Sequence, residues 1–374
     1  MVPAILRLYQ SSPWSRGQTG RERYVMRNPG YTILEYASSL NFHLFPVQRV
    51  VLKALYGLEL DNKKTFVVPY WAAGHFEERS YTEASYLEML WYERRSSIGF
   101  VKAGGEKNEL VLAAGRRSGK SVLGPIIAAY ELHGLMVMED PQARYGLGQG
   151  PAIQVLLVGT DREQAQLALR EAANHARLDP AVGKFLHGST QAYSTYMTVA
   201  DFRRHGIRPV DDDTIGNNAS IRLAAKSGRS TGIRGIPNMC VILDEVAHFS
   251  ENGQPAEIYD AVQPSVAWTS PKDEGMNPIG MLEYKIVSLS TPLLAKGAFH
   301  DRWQRGFTNF GSLSLRIPSW EMNPTLDQEF LLKEHQRDPA GFMCEYGAGF
   351  RNEPVGRNTG TVCPCCNGTG RGMA

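Results

Sequence analysis

The segment Glu109–Glu131, ELVLAAGRRSGKSVLGPIIAAYE, limits what this chain can fold into more than any other. Its apolar start, Glu109–Ala113, reads as a buried strand. The chain then turns through Ala114-Gly115-Arg116-Arg117-Ser118-Gly119-Lys120-Ser121, and a helical pattern follows over Ser121–His133. This is the pattern G-x-x-x-x-G-K-[ST] with Ala114 in place of the first glycine, and strand before plus helix after is the context that gives the pattern meaning. Such a loop wraps a β-phosphate with backbone N–H groups, and Gly119 permits the close approach. Lys120 reaches the β- and γ-oxygens, Ser121 offers its hydroxyl to Mg²⁺, and the helix start turns its positive end toward the anion. Gly115 is expected to relieve the turn that Ala114 tightens. Paired arginines are unusual inside such a loop. One of Arg116 and Arg117 can reach the γ-phosphate of ATP, the other being solvated.

A phosphate loop needs an acid to hold the metal. Met239–Leu243 is an apolar strand that ends in Asp244-Glu245. An acid at such a strand end holds the magnesium shell in P-loop ATPases, so Asp244 is assigned to Mg²⁺ and Glu245 to activation of the attacking water. Alone, an apolar run followed by two acids is commonplace; the phosphate loop earlier in the chain makes it specific. Lys285–Leu289 is another strand, and it ends in Ser290-Thr291-Pro292. Ser290 or Thr291 can sense the γ-phosphate through water and couple hydrolysis to movement; a plain Ser/Thr-Pro turn is the competing reading.

Three weaker features surround these. Gly228-Arg229-Ser230-Thr231-Gly232-Ile233-Arg234-Gly235 is a glycine-rich loop whose arginines can act on a neighbouring active site, grip DNA phosphate, or simply be solvated. Gln48, in Phe45-Pro46-Val47-Gln48-Arg49, can read an adenine edge by a two-point hydrogen bond. The tail holds Cys363, Cys365 and Cys366. Two cysteines at proper spacing plus one fall short of four ligands, so no zinc is expected at Cys363 and Cys366.

Short apolar runs at Ile153–Val158 and Ser220–Ala224 complete five strands, with helical stretches such as Arg162–Ala176 between some of them. Continuous Val, Ile and Leu suit strands buried on both faces, and the alternation implies an α/β fold, a parallel sheet flanked by helices; with the phosphate loop, the expected fold class is a P-loop domain of RecA-like type. Residues 1–40 read as an irregular, basic arm, 41–317 as the ATPase core, 318–352 as a small helical lid with a helix over Asp327–Gln336, and 353–374 as a tail. The formal charge of +2 neither supports nor excludes a nucleic-acid partner. No stretch is apolar and long enough to span a bilayer, and no signal pattern opens the chain, so a cytoplasmic location is expected.

Together these residues resemble the ATPase domain of the large terminase subunit, the DNA-packaging motor of tailed bacteriophages and herpesviruses. The resemblance runs in order over roughly residues 40–352. It takes in the Gln48 segment, the variant phosphate loop, Asp161-Arg162-Glu163-Gln164-Ala165, Gly228–Gly235, Leu243-Asp244-Glu245-Val246-Ala247-His248-Phe249, Ser290-Thr291-Pro292, and Trp320, Asn323-Pro324, Glu345-Tyr346 and Phe350 of the lid.

The resemblance implies that Gln48 contacts adenine, Lys120 and Ser121 hold phosphate and Mg²⁺, Glu245 activates water, and Ser290–Pro292 couples hydrolysis to translocation. It implies an arginine acting between subunits, assigned to Arg234 or Arg229. It implies a homo-oligomeric ring on the portal protein of a procapsid in the infected bacterial cytoplasm, absent from the mature virion, with double-stranded DNA and the small terminase subunit as partners. Members of that family continue past the lid into a nuclease with clustered acids; between Arg351 and Ala374 there is one acid, Glu353, so nuclease activity is not expected here. The competing readings are a RecA-like helicase outside packaging and a non-catalytic nucleotide-binding scaffold.

Overall fold

The computed structural model describes residues 31–99, 105–148, 151–205, 219–228, 233, 235–249 and 255–352. The basic arm before Tyr31, Arg229, Arg234 and the cysteine tail therefore lie outside the described residues.

Strands β1 (Thr65–Ala72) and β2 (His75–Thr82) form a separate hairpin. The main sheet is built from β3 (Glu109–Ala114), β4 (Ile153–Gly159), β5 (Leu186–Ser189), β6 (Tyr193–Tyr196), β7 (Ile221–Ser227), β8 (Asn238–Asp244), β9 (Lys285–Ser290) and β10 (Ser312–Ile317). Their order is β10-β3-β9-β8-β4-β7-β6-β5. The run from β10 to β7 is parallel, and β6 and β5 add on antiparallel. The five expected strands all lie in the parallel part, as an α/β reading requires.

The sheet is buried on both faces. Leu110, Leu112 and Ala114 of β3 join one apolar cluster, while Val111 and Ala113 between them join the other. This is the period of two that strand geometry imposes, and it explains why the sequence runs without polar interruption. The helix Lys120–Met136 lies tightly on one face: a Cβ at Gly124 would stand 3.0 Å from Ile242 and 3.5 Å from Leu289. The helix Arg162–Leu178 packs beside it, begun by Asp161, whose side chain accepts from the Gln164 N–H. No described helix is long and apolar enough to cross a membrane.

Strand order makes the site. β9 lies between β3, which runs into the phosphate loop, and β8, which carries Asp244 and Glu245. In an open parallel sheet, ligands sit beyond the carboxyl ends of the strands. Lys120, Ser290, Thr291, Asp244 and Glu245 all emerge there.

Several elements depart from the sequence reading. Residues 33–39 form a helix rather than irregular chain, because Thr32 and Glu35 make a reciprocal capping box and Ile33, Tyr36 and Ala37 are buried. The hairpin β1–β2 turns on Ala73 (φ 46°) and Gly74 (φ 94°), a left-handed pair without the usual Asn-Gly signature, and Pro69 breaks up its strand pattern. Strand β10 reads SLSLRI, yet Ser312 and Ser314 are fully buried. Strands β5 and β6 are only four residues each.

The lid also differs. Its helices Ser319–Met322, Gln328–Arg337 and Pro339–Glu345 surround a core of Trp320, Leu331 and Phe342, into which the hairpin inserts Trp71 and Phe76. Ring centroids of Trp320 and Phe342 stack at 5.4 Å, and Trp71 stands 4.9 Å from Phe342. The lid is thus assembled from two distant stretches of chain.

Candidate nucleotide-binding site

Residues 114–121 form a turn between β3 and the helix Lys120–Met136. Arg117 (φ 58°) and Gly119 (φ 79°) take left-handed conformations. Gly119 meets that demand without a steric cost. Arg117 does so as a non-glycine residue, which calls for outside restraint. Gly115 is needed for space rather than torsion: a Cβ there would overlap Ser319 Oγ and the Tyr346 carbonyl oxygen.

Lys120 is 4% exposed. Its Nζ donates to Thr291 Oγ1 at 2.9 Å and lies 3.0 Å from the Glu245 carboxylate. Glu245 in turn accepts from the Thr291 backbone N–H at 3.2 Å and the Ser290 hydroxyl at 3.4 Å. Its own backbone is left-handed (φ 55°), so the carboxylate is held by strained chain on one side and by the end of β9 on the other. Ser290 also accepts from the Ala247 N–H at 3.1 Å, tying the turn after Glu245 to β9. His248 stands 3.9 Å from Glu245.

Ser121 Oγ donates to Asp244 Oδ1 at 3.5 Å. A hydroxyl beside a carboxylate is a hard oxygen donor set of the kind magnesium takes, with phosphate and water oxygens completing the shell. Among the described residues there is no group of three His, Cys, Asp or Glu positioned for a metal; Ser121 and Asp244 are the side chains that would meet an ion here. Burial pushes the Asp244 carboxyl up to about 6, the charge of Glu245 adding to it and Lys120 and Ser121 opposing. A cation at Asp244 would relieve that cost.

The structure therefore brings together Ala114–Ser121, Asp244, Glu245, Ser290 and Thr291. Gln48 joins them from a different side. It is 3% exposed, its Oε1 accepts from the Phe45 N–H at 3.0 Å, and its Nε2 lies 2.7 Å from where a Cβ of Gly119 would be. In this arrangement Gln48 caps its own helix and braces the phosphate loop. Arg116 pairs through Nε with Glu345 of the lid at 2.5 Å, and Arg117 lies over the Phe330 ring at 5.4 Å.

Ser319, Asn323 and Glu345 of the lid each touch the phosphate loop; Asn323 and Glu345 belong to the lid pattern of the resemblance, Ser319 to no motif, and in none does the local sequence announce the contact.

The family model described as "Uncharacterized protein MJ0330, N-terminal P-loop domain" matches residues 100–348. The chain belongs to this P-loop family. Its matched span holds the phosphate loop, the acidic pair and most of the lid, which makes this a nucleotide-binding P-loop domain. Curated proteins yield no match. Among solved structures, the chain is similar to the large terminase ATPase domain of Thermus phage P74-26, at 19% identity and a TM-score of 0.43 over 65% of this chain and 89% of that one. It is also similar to the large terminase of bacteriophage HK97, at 14% identity and a TM-score of 0.41 over 66% of this chain and 47% of that one.

Proposed function

We propose that this P-loop protein is an ATP hydrolase that drives double-stranded DNA into a viral procapsid, as the ATPase part of a large terminase subunit. The observation that carries the hydrolase reading is the convergence of Lys120, Glu245 and Thr291 within hydrogen-bonding distance at the ends of three adjacent strands. A nucleotide-binding scaffold has no need of a carboxylate fixed beside the phosphate-binding lysine.

In this reading the phosphate loop and Lys120 hold the β- and γ-phosphates, and Ser121 and Asp244 would hold Mg²⁺, which would supply charge neutralisation at the phosphates. Glu245, oriented by the Thr291 N–H, accepts a proton from the attacking water. Thr291 touches both Glu245 and Lys120, and Ser290 touches Glu245, so a change at the phosphate is passed directly to the end of β9. The packaging role rests on the order of motifs along the chain. With it come a ring of subunits on a portal, contact with a small terminase subunit, and an arginine reaching across subunits, Arg234 or Arg229. Phosphate release measured with and without double-stranded DNA tests the reading. Stimulation by duplex DNA supports it, and hydrolysis indifferent to DNA removes the translocation part.

A further inference from the structure

Two lid side chains reach the phosphate loop through its backbone. Ser319 Oγ donates to the Arg116 carbonyl at 2.6 Å, and Asn323 Nδ2 donates to the Arg117 carbonyl at 2.9 Å. The Arg116 N–H donates back to the Glu345 carbonyl at 2.6 Å, and the Ser319 N–H to the Tyr346 carbonyl at 2.7 Å. The orientation of the Asn323 amide is fixed independently, since its Oδ1 accepts from the Thr325 N–H at 3.2 Å and the Thr325 hydroxyl at 2.6 Å. Ser319 is fully buried.

Planar trans peptides convert these contacts into a statement about the loop interior. The C=O of one residue and the N–H of the next point in opposite directions, and no described peptide is cis. Drawing the Arg116 and Arg117 carbonyls out toward the lid therefore turns the N–H groups of Arg117 and Ser118 inward. The Ser118 N–H does point across the loop, to the Gly115 carbonyl at 3.4 Å. That bond is long and weak for an amide, and a phosphate oxygen is a stronger acceptor. The clamp also accounts for Arg117 holding a left-handed backbone.

We propose that Ser319 and Asn323 are positioning residues for the phosphate loop: they set two peptide planes so that the lid determines how tightly the loop grips a phosphate. The proposal rests on the nucleotide reading of the site. Because the clamp acts on phosphate contacts present before and during transfer alike, its loss weakens binding without slowing the chemical step. A single neutral hydrogen bond of this kind corresponds to an affinity change of about 3- to 10-fold.

The test uses the full chain with Ser319→Ala and, separately, Asn323→Leu. ADP affinity is measured by titration, adenosine affinity by competition, and KM and kcat for ATP by phosphate release. Both variants are expected to bind ADP about 3- to 10-fold more weakly and to raise KM by a similar factor, with kcat and adenosine affinity near the parent's. Unchanged ADP affinity in a variant that unfolds at the parent's temperature overturns the proposal, and so does an equal loss for ADP and adenosine. If buried Ser319→Ala does not fold, the partly exposed Asn323 variant decides alone. A parent that fails to bind ADP refutes the nucleotide reading instead, whereas a parent that binds it beside indifferent variants refutes the clamp only.

Discussion

Lys120 and Glu245 form an ion pair at 3.0 Å, joining the phosphate loop to the end of β8 across the intervening strand. The lysine is almost wholly buried; its charge is balanced by that carboxylate, and its ammonium also donates to the Thr291 hydroxyl. Lys120→Ala removes the cation that meets the γ-phosphate. Turnover is expected to fall by at least about 100-fold and ATP affinity to drop with it, read by phosphate release and by titration with a non-hydrolysable analogue. Near-parent turnover would show that Lys120 is a structural partner of Glu245 and no more.

Asp244 gives a stability prediction with a defined sign. Burial raises its folded pKa to about 6, well above the unfolded value. Above that pH the folded protein carries a charge that burial disfavours, and the cost fades as pH falls through about 6 and the carboxyl takes up its proton. Asp244→Asn should therefore stabilise the fold by about 1–2 kcal/mol near pH 8, with the gain shrinking toward pH 5. Magnesium-dependent ATP turnover should be lost in the same variant. Thermal unfolding at the two pH values, without added metal, checks the first part; a variant less stable than the parent near pH 8 contradicts it.

The lid core joins two separated stretches, so damage in one should appear in the other. Phe342 is 2% exposed and packs on Trp320 and Trp71. Phe342→Ala should cost about 3–5 kcal/mol of local stability. Hydrogen exchange should speed up in residues 65–82 together with 319–345, while β3, β8 and β9 keep their protection. Exchange confined to the lid helices would show that the hairpin is held by other contacts.

Much of this was legible in the sequence for a physical reason. Strands β3, β4, β8 and β9 are buried on both faces, so their apolar runs are uninterrupted and bounded by turns. Asp244 and Glu245 lie at the end of one such run, and Lys120 and Ser121 open the helix after the loop that follows another. The hairpin and β10 were not legible, because Pro69, Ser312 and Ser314 break the pattern while tertiary packing decides the state. Ser319 and Asn323 act through hydrogen bonds to backbone more than 200 positions away, and local sequence carries no trace of that pairing. The cap of Gln48 to Phe45 and its contact with Gly119 come only from the fold.

The arginine proposed to act between subunits has a mixing test, with Arg229 and Arg234 both outside the described residues. Arg229→Ala or Arg234→Ala subunits, inactive alone, should regain hydrolysis when assembled with Lys120→Ala subunits, because each supplies what the other's site lacks. No recovery for either, in an assembled ring, removes this loop from consideration.

The central claim is that ATP is hydrolysed here with Glu245 as the base. Glu245→Gln keeps the side chain's size and its place against the Thr291 N–H, and removes the basicity. The decisive measurement is ATP turnover by this variant in the presence of duplex DNA, alongside its ATP affinity. The account predicts affinity within about threefold of the parent and turnover reduced by about 100-fold or more, leaving ATP bound and uncleaved. Turnover close to the parent's would contradict it.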